Sequence, residues 1–93
     1  MLESKIQKKI IDYIVKQGGQ CVKITAPSRR GLPDLLALID GKIILIEVKQ
    51  EGKTLDPLQD YFFMIWNSKQ TNCILCDSLE MLKIKRKELN DNT

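Results

Sequence analysis

Two acids and a lysine stand where a plain buried hairpin would carry Val or Thr. The segment GLPDLLALIDGKIILIEVKQ, residues 31–50, joins two apolar runs through Asp40-Gly41, and its far ends hold Asp34, Glu47 and Lys49. Asp-Gly between such runs signals a two-residue type I′ turn. With that loop, Ile39 pairs with Lys42 and Asp34 falls directly opposite Glu47. Opposite residues share a face, with Cβ atoms roughly 4.5–5.5 Å apart. A three-residue bulged loop would shift the pairing by one. Like charges in this arrangement repel, and burial at the end of an apolar sheet raises the cost. A divalent cation offsets both, because paired carboxylates are the hard oxygen ligands that Mg²⁺ takes, with waters completing the octahedron. Lys49, two residues beyond Glu47, points to the same face, where it can sit beside a metal-bound water or a phosphate oxygen. Each residue alone reads better as an ordinary strand end, with Asp34 helping a turn and Glu47 paired to Lys49 in solvent. The three together on one face favour a site, since uncompensated charge clusters mark function.

The elements that must position this cluster follow from pattern. Residues 2–17 read as a helix, with Ile6, Ile10 and Ile14, joined by Ile11 and Val15, at helical spacing and Gly18-Gly19 as the stop. Residues 21–25 read as a short strand and APSRRGLP, residues 26–33, as a loop. Leu35–Ile39 and Lys42–Lys49 are the hairpin strands, followed by a polar loop over 50–56. Asp56-Pro57-Leu58-Gln59 opens a helix running to about Lys69, with Asp as N-cap, Pro at the first position and Gln closing a capping box. Residues 72–76 are a fourth strand, and Asp77 with Glu80 form a capping box for a charged last helix. The order is α-β-β-β-α-β-α. Both faces of the hairpin are apolar, which predicts central strands covered by helices on both sides. The fold class is α/β, one domain over residues 1–93 built on a mixed four-stranded sheet.

Composition sets the bounds. With 43% hydrophobic and 29% charged residues the chain has an ordinary globular balance. No stretch approaches the apolar length that spans a bilayer, and MLESKIQKK has no apolar signal core, so a cytoplasmic protein with no membrane partner is expected. The net charge of +3 says little by itself, but Arg29-Arg30 and KIKRK, residues 83–87, are local basic features able to meet phosphates. Cys21, Cys73 and Cys76 are an odd set, unsuited to a disulfide framework. The CILC pair falls in a strand, where residues three apart face opposite sides and cannot clamp one zinc. The cysteines read as small buried hydrophobes.

Tyr61 to Trp66 are six consecutive apolar or aromatic residues on helix 57–69. A helix packing one face on a sheet needs about three or four per two turns. The surplus predicts a homodimer interface through this helix, or else a helix sandwiched between sheet and last helix.

Pro33-Asp34, a hairpin, then Glu47-Val48-Lys49 resembles the signature of the PD-(D/E)xK nuclease superfamily. With Glu3 on the first helix, Gly31-Leu32-Pro33-Asp34 and Gln59 opening the next helix, the set resembles the VRR-Nuc (virus-type replication-repair nuclease) family over residues 3 to about 76. The resemblance implies a restriction-endonuclease-like αβββαβα core. It also implies a metal-dependent DNA endonuclease hydrolysing phosphodiester bonds, directed at branched DNA such as four-way junctions, in the host cytoplasm if phage-encoded. Asp34, Glu47 and the main-chain carbonyl of Val48 would hold Mg²⁺, with Mn²⁺ able to substitute, and Lys49 would orient or help deprotonate the attacking water. Glu3 would stand near the metal, although an acid in a first helical turn is also favoured by the helix dipole alone. Gln59 would join the catalytic set or reach a DNA phosphate, while its capping box explains it equally well. Lys23, Arg29, Arg30 and Lys53 are candidate contacts to the DNA backbone, and Gly31 lets the chain turn or approach DNA closely. Alternatives on the same fold are a restriction-like or nicking enzyme without junction preference, and a non-catalytic nucleic-acid-binding module.

Overall fold

The computed structural model describes residues 1–25 and 31–91. The elements are α1 (Glu3–Lys16), β1 (Gln20–Lys23), β2 (Leu35–Ile39), β3 (Lys42–Val48), α2 (Pro57–Ser68), β4 (Asn72–Cys76) and α3 (Leu79–Asp91), in the order expected. They form one mixed sheet, β1-β2-β3-β4. The first two pairings are antiparallel. β3 and β4 are parallel, so their connection must cross over, and α2 makes that crossing.

The hairpin register is the one that Asp40-Gly41 requires. Both turn residues lie at positive φ, 56° and 70°, as a type I′ turn demands, and Ile39 pairs with Lys42 and Leu35 with Ile46. One more step along the ladder sets Asp34 against Glu47.

One face of the sheet is fully covered. Ile6, Ile10 and Ile14 of α1 and Leu82 of α3 bury against Leu35, Ala37, Ile39, Ile44, Ile46, Val48, Ile74 and Cys76. Burying an isoleucine fully stabilises by about 1.5–3 kcal/mol, so these alternating strand residues supply most of the core. Val15 falls outside the stripe and is exposed, while Ile11 packs at its edge.

The other face also carries a helix, as expected, but that helix covers only part of it. α2 packs on β4, where Phe62 and Phe63 close over Cys73, Leu45 and Leu75. Val22, Leu36, Leu38 and Ile43, which the register places on that same face, stay exposed. The reason is width: a helix is about 10–12 Å across, and four strands about 4.8 Å apart need two helices side by side. Of the aromatic run on α2, Phe62 and Phe63 are buried, whereas Tyr61, Met64, Ile65 and Trp66 are exposed.

A correction concerns α3. Its first turn is held by Ser78, whose Oγ accepts the Met81 amide at 3.1 Å, and not by an Asp77–Glu80 box. The Asp77 carboxylate is occupied elsewhere, accepting the Gly52 amide at 3.1 Å. No helix among the described residues is long and apolar enough to cross a membrane.

Candidate active site

Asp34 stands at the entry to β2, after Pro33, which is itself fully buried. Its main-chain carbonyl accepts the Ile24 amide at 2.8 Å, extending the β1–β2 ladder by one rung. Its Oδ2 accepts the Val48 amide at 3.0 Å. A carboxylate thus replaces the backbone oxygen that the hairpin ladder would offer there, which ties Asp34 to the strand carrying Glu47.

Glu47 is the one buried charged residue among those described, 3% exposed on β3. Its Oε2 accepts Gln59 Nε2 at 2.9 Å and lies 3.8 Å from Lys49 Nζ. Its Oε1 is buried and has no hydrogen-bond partner among the described residues. Burial, and next the neighbouring Asp34 charge, push its carboxyl up to about 7, against the pull of Lys49 and Gln59. An orphaned buried acceptor costs about 1–3 kcal/mol, more when charged.

Glu3, in the first turn of α1, completes the cluster. Glu3, Asp34 and Glu47 each offer an oxygen, and these lie within 4.8 Å of one another. Among the described residues this is the one trio of acidic or thiol groups so placed. Ligands around Mg²⁺ stand about 2.0–2.1 Å from the ion, so opposite oxygens of the octahedron lie about 4 Å apart. The trio's oxygens, within 4.8 Å of one another, lie close to that spacing, and the unpartnered Glu47 Oε1 is the atom a cation would satisfy. Donor set and orphaned oxygen both fit a hard divalent ion.

Gln59 has two partnerships at once. Its Oε1 accepts the Asp56 amide at 3.0 Å and Asp56 Oδ1 accepts the Gln59 amide at 2.9 Å, the capping box read from sequence. The remaining Nε2 is what reaches Glu47. Lys49, with its side chain 20% exposed, lines the mouth of the cluster.

The other candidate residues divide. Lys23 and Lys53 are exposed, and Arg29 and Arg30 lie outside the described residues. Gly31 has φ 86°, and a Cβ there would come within 2.9 Å of the Leu58 carbonyl oxygen, so packing against the start of α2 explains it. The KIKRK block sits at the opposite end of the hairpin from the acids. Arg86 grips Asp40 through Nε and Nη2 at 2.8 and 2.9 Å, and its Nη1 donates to Tyr13 Oη and Gln17 Oε1. Lys83 stands over the Tyr13 ring and Lys87 pairs with Asp91. Cys21, Cys73 and Cys76 are free and buried, and burial pushes the Cys76 thiol up to about 12, as small core residues should show. The residue that sequence reasoning misplaced near the site is Asp77. Two adjacent capping-type residues, Asp77-Ser78, were the available signal, because only one of them can cap α3.

No protein-family model matches the chain. The candidate nuclease p44 of Acyrthosiphon pisum secondary endosymbiont phage 1 is 43% identical over 58 residues, 61% of this chain and 62% of that protein. The chain therefore spans about three fifths of the length of the curated relative it matches. A solved structure described as a VRR_NUC domain shares 26% of its sequence and superposes with a TM-score of 0.82, covering 91% of this chain and 94% of that one.

Proposed function

Since the chain belongs to the VRR-Nuc family of the PD-(D/E)xK nuclease superfamily, we propose that it is a divalent-metal-dependent DNA endonuclease that hydrolyses phosphodiester bonds in branched DNA, four-way junctions in particular. The observation that carries this reading is the unpartnered Glu47 Oε1, buried beside Asp34 and Glu3. Asp34 and Glu47, with the Val48 main-chain carbonyl and Glu3, hold Mg²⁺, for which Mn²⁺ substitutes. When bound, the ion eases formation of a nucleophile from water near neutral pH and offsets charge gathering on the phosphate.

The protein's own groups do the rest. Gln59 holds Glu47 in place through Oε2 and so leaves Oε1 turned to the ligand position. Lys49, near the same carboxylate, orients the attacking water and steadies the phosphate oxygens as charge develops. Lys23, Lys53, Arg29 and Arg30 contact the DNA backbone, so recognition is by phosphate and shape.

The enzyme acts as a homodimer. Val22, Leu36, Leu38 and Ile43 on the sheet and Tyr61, Met64, Ile65 and Trp66 on α2 support this, because exposed apolar surface of this extent marks association. Two symmetric sites then meet two strands of one junction. The test is cleavage of a labelled panel of duplex, nicked, flap and four-way junction DNA with Mg²⁺ or Mn²⁺. Preferential, metal-requiring cutting of the junction is expected. Cutting of all substrates alike would leave an endonuclease without junction preference, and binding without cutting would leave a binding module.

A further inference from the structure

We propose that Asp77 is a positioning residue for Lys49, acting through the turn at residues 50–53; this rests on the nuclease reading of the site. Sequence alone assigns Asp77 to the start of α3, but Ser78 performs that task, through Oγ to the Met81 amide and through its carbonyl to the Leu82 amide at 3.3 Å. The Asp77 carboxylate instead reaches back across the sheet end, and its Oδ2 accepts the Gly52 amide at 3.1 Å.

One residue earlier, the Cys76 carbonyl accepts the Lys49 amide at 3.1 Å, the last rung of the parallel ladder. Consecutive residues of one segment therefore tie both ends of Lys49–Gly52. Cys76 is fully buried and sits on the core, so this anchor is rigid. The Lys53 amide, just past the second tie, donates to the Gln50 carbonyl at 3.0 Å, closing the turn, and Gly52 supplies the required φ of 81°. Gln50, Glu51, Gly52 and Lys53 are all exposed, so core packing does not hold the turn. Among the described residues, the Asp77–Gly52 bond is the one hydrogen bond from outside the turn that reaches residues 50–53.

What the turn controls is the residue that opens it. Lys49 Nζ stands 3.8 Å from Glu47 Oε2, and a flexible four-carbon stem holds that place only if its own backbone is fixed. Displacement of a reacting group by about 1 Å costs up to about a hundredfold in rate. Asp77 touches neither the metal trio nor Lys49 Nζ; its effect passes through the backbone.

The experiment compares Asp77→Ala and Asp77→Asn in the full chain, on junction DNA with Mg²⁺, and follows amide hydrogen exchange at Gly52. Asn keeps an oxygen that can accept the Gly52 amide. The expected result is a kcat lower by about tenfold in Asp77→Ala, with KM for DNA and Mg²⁺ affinity within about twofold, faster Gly52 exchange, and recovery of both readouts in Asp77→Asn. An unchanged kcat, a loss that follows KM or metal affinity, or an Asn variant as impaired as the Ala variant overturns the proposal. If Asp77→Ala melts, Asp77→Ser replaces it, its oxygen too short to reach Gly52. A wild type that cuts no DNA defeats the nuclease reading instead. Gly52 exchange and the NMR order of Lys49 then decide the positioning claim, which fails if both are unchanged in Asp77→Ala.

Discussion

Gln59 Nε2 donates to Glu47 Oε2 at 2.9 Å while its Oε1 accepts the Asp56 amide at 3.0 Å. Flipping the amide would lose both bonds, so the cap of α2 dictates which group faces the carboxylate of β3. A helix start and a strand residue are locked together by one side chain.

Gln59→Ala should therefore do two things. Loss of the reciprocal cap costs about 1 kcal/mol of stability. Loss of the group orienting a metal carboxylate lowers Mg²⁺ affinity by about ten- to a hundredfold. Asp56→Ala removes the cap's other half and should show the stability loss with a smaller change in affinity. Denaturant melts and calorimetric Mg²⁺ titration on both variants separate the effects, and equal affinity losses would count against a distinct role for Gln59.

The Glu47 carboxyl, pushed up to about 7 by burial and then by Asp34, gives a pH dependence whose sign is fixed. The native state holds this proton more tightly than the unfolded chain, where an ordinary Glu titrates near 4.3. Its contribution to stability is therefore complete below about pH 4.3 and lost as pH rises through about 7. In metal-free protein, stability should fall over that window. Saturating Mg²⁺ should flatten the fall, because the ion favours the charged carboxylate, and Mg²⁺ affinity should rise with pH up to about 7. Thermal melts from pH 4 to 8, with and without Mg²⁺, check this; Glu47→Gln should remove the metal-free slope.

The contact between Arg86 and Asp40 predicts an effect on stability alone. Two Arg86 hydrogen-bond donors hold the Asp40 carboxyl down at about 2, below its usual range, with Asn90 assisting. Arg86 also joins Tyr13 and Gln17 of α1's end to the hairpin turn. Arg86→Ala should cost about 1 kcal/mol, as for a well-aligned but partly solvated pair. The Asp40 share of that cost should vanish as pH falls through about 2. Catalysis should be unchanged, because the cluster lies at the other end of β2 and β3.

Leu38→Lys and Ile43→Lys test the apolar face. Both residues are exposed, at 50% and 60%, so a charge there should alter monomer stability by no more than about 0.5 kcal/mol. In a dimer that covers this face, a buried unpaired lysine is strongly unfavourable. Sedimentation velocity should show a dimer for the wild type and monomers for both variants; identical sedimentation of all three would remove this face from any interface.

Much of the site was legible because β-pairing is arithmetic. Asp40-Gly41 fixes the turn, the turn fixes the register, and the register sets Asp34 against Glu47. Gln59 was visible as half of a capping box, but its bond to Glu47 depends on how α2 crosses the sheet, which no local pattern encodes. Coverage of the outer face was misjudged for a related reason: alternation shows that Leu36 and Leu38 are apolar, not that a helix is wide enough to reach them. Asp77 and Ser78 are interchangeable as caps in one dimension. The Gly52 amide, twenty-five residues earlier in the chain, decides between them.

The most direct test of the central claim compares wild type with Asp34→Asn on a labelled four-way junction, with Mg²⁺, Mn²⁺ or chelator. Asn preserves the shape and can still accept the Val48 amide, so the strand ends should stay in register while one of the facing charges is gone. Cutting should require the cation and fall by at least about a hundredfold in the variant, with junction binding retained. Cutting of equal rate in both proteins, or cutting that persists in chelator, would contradict the claim.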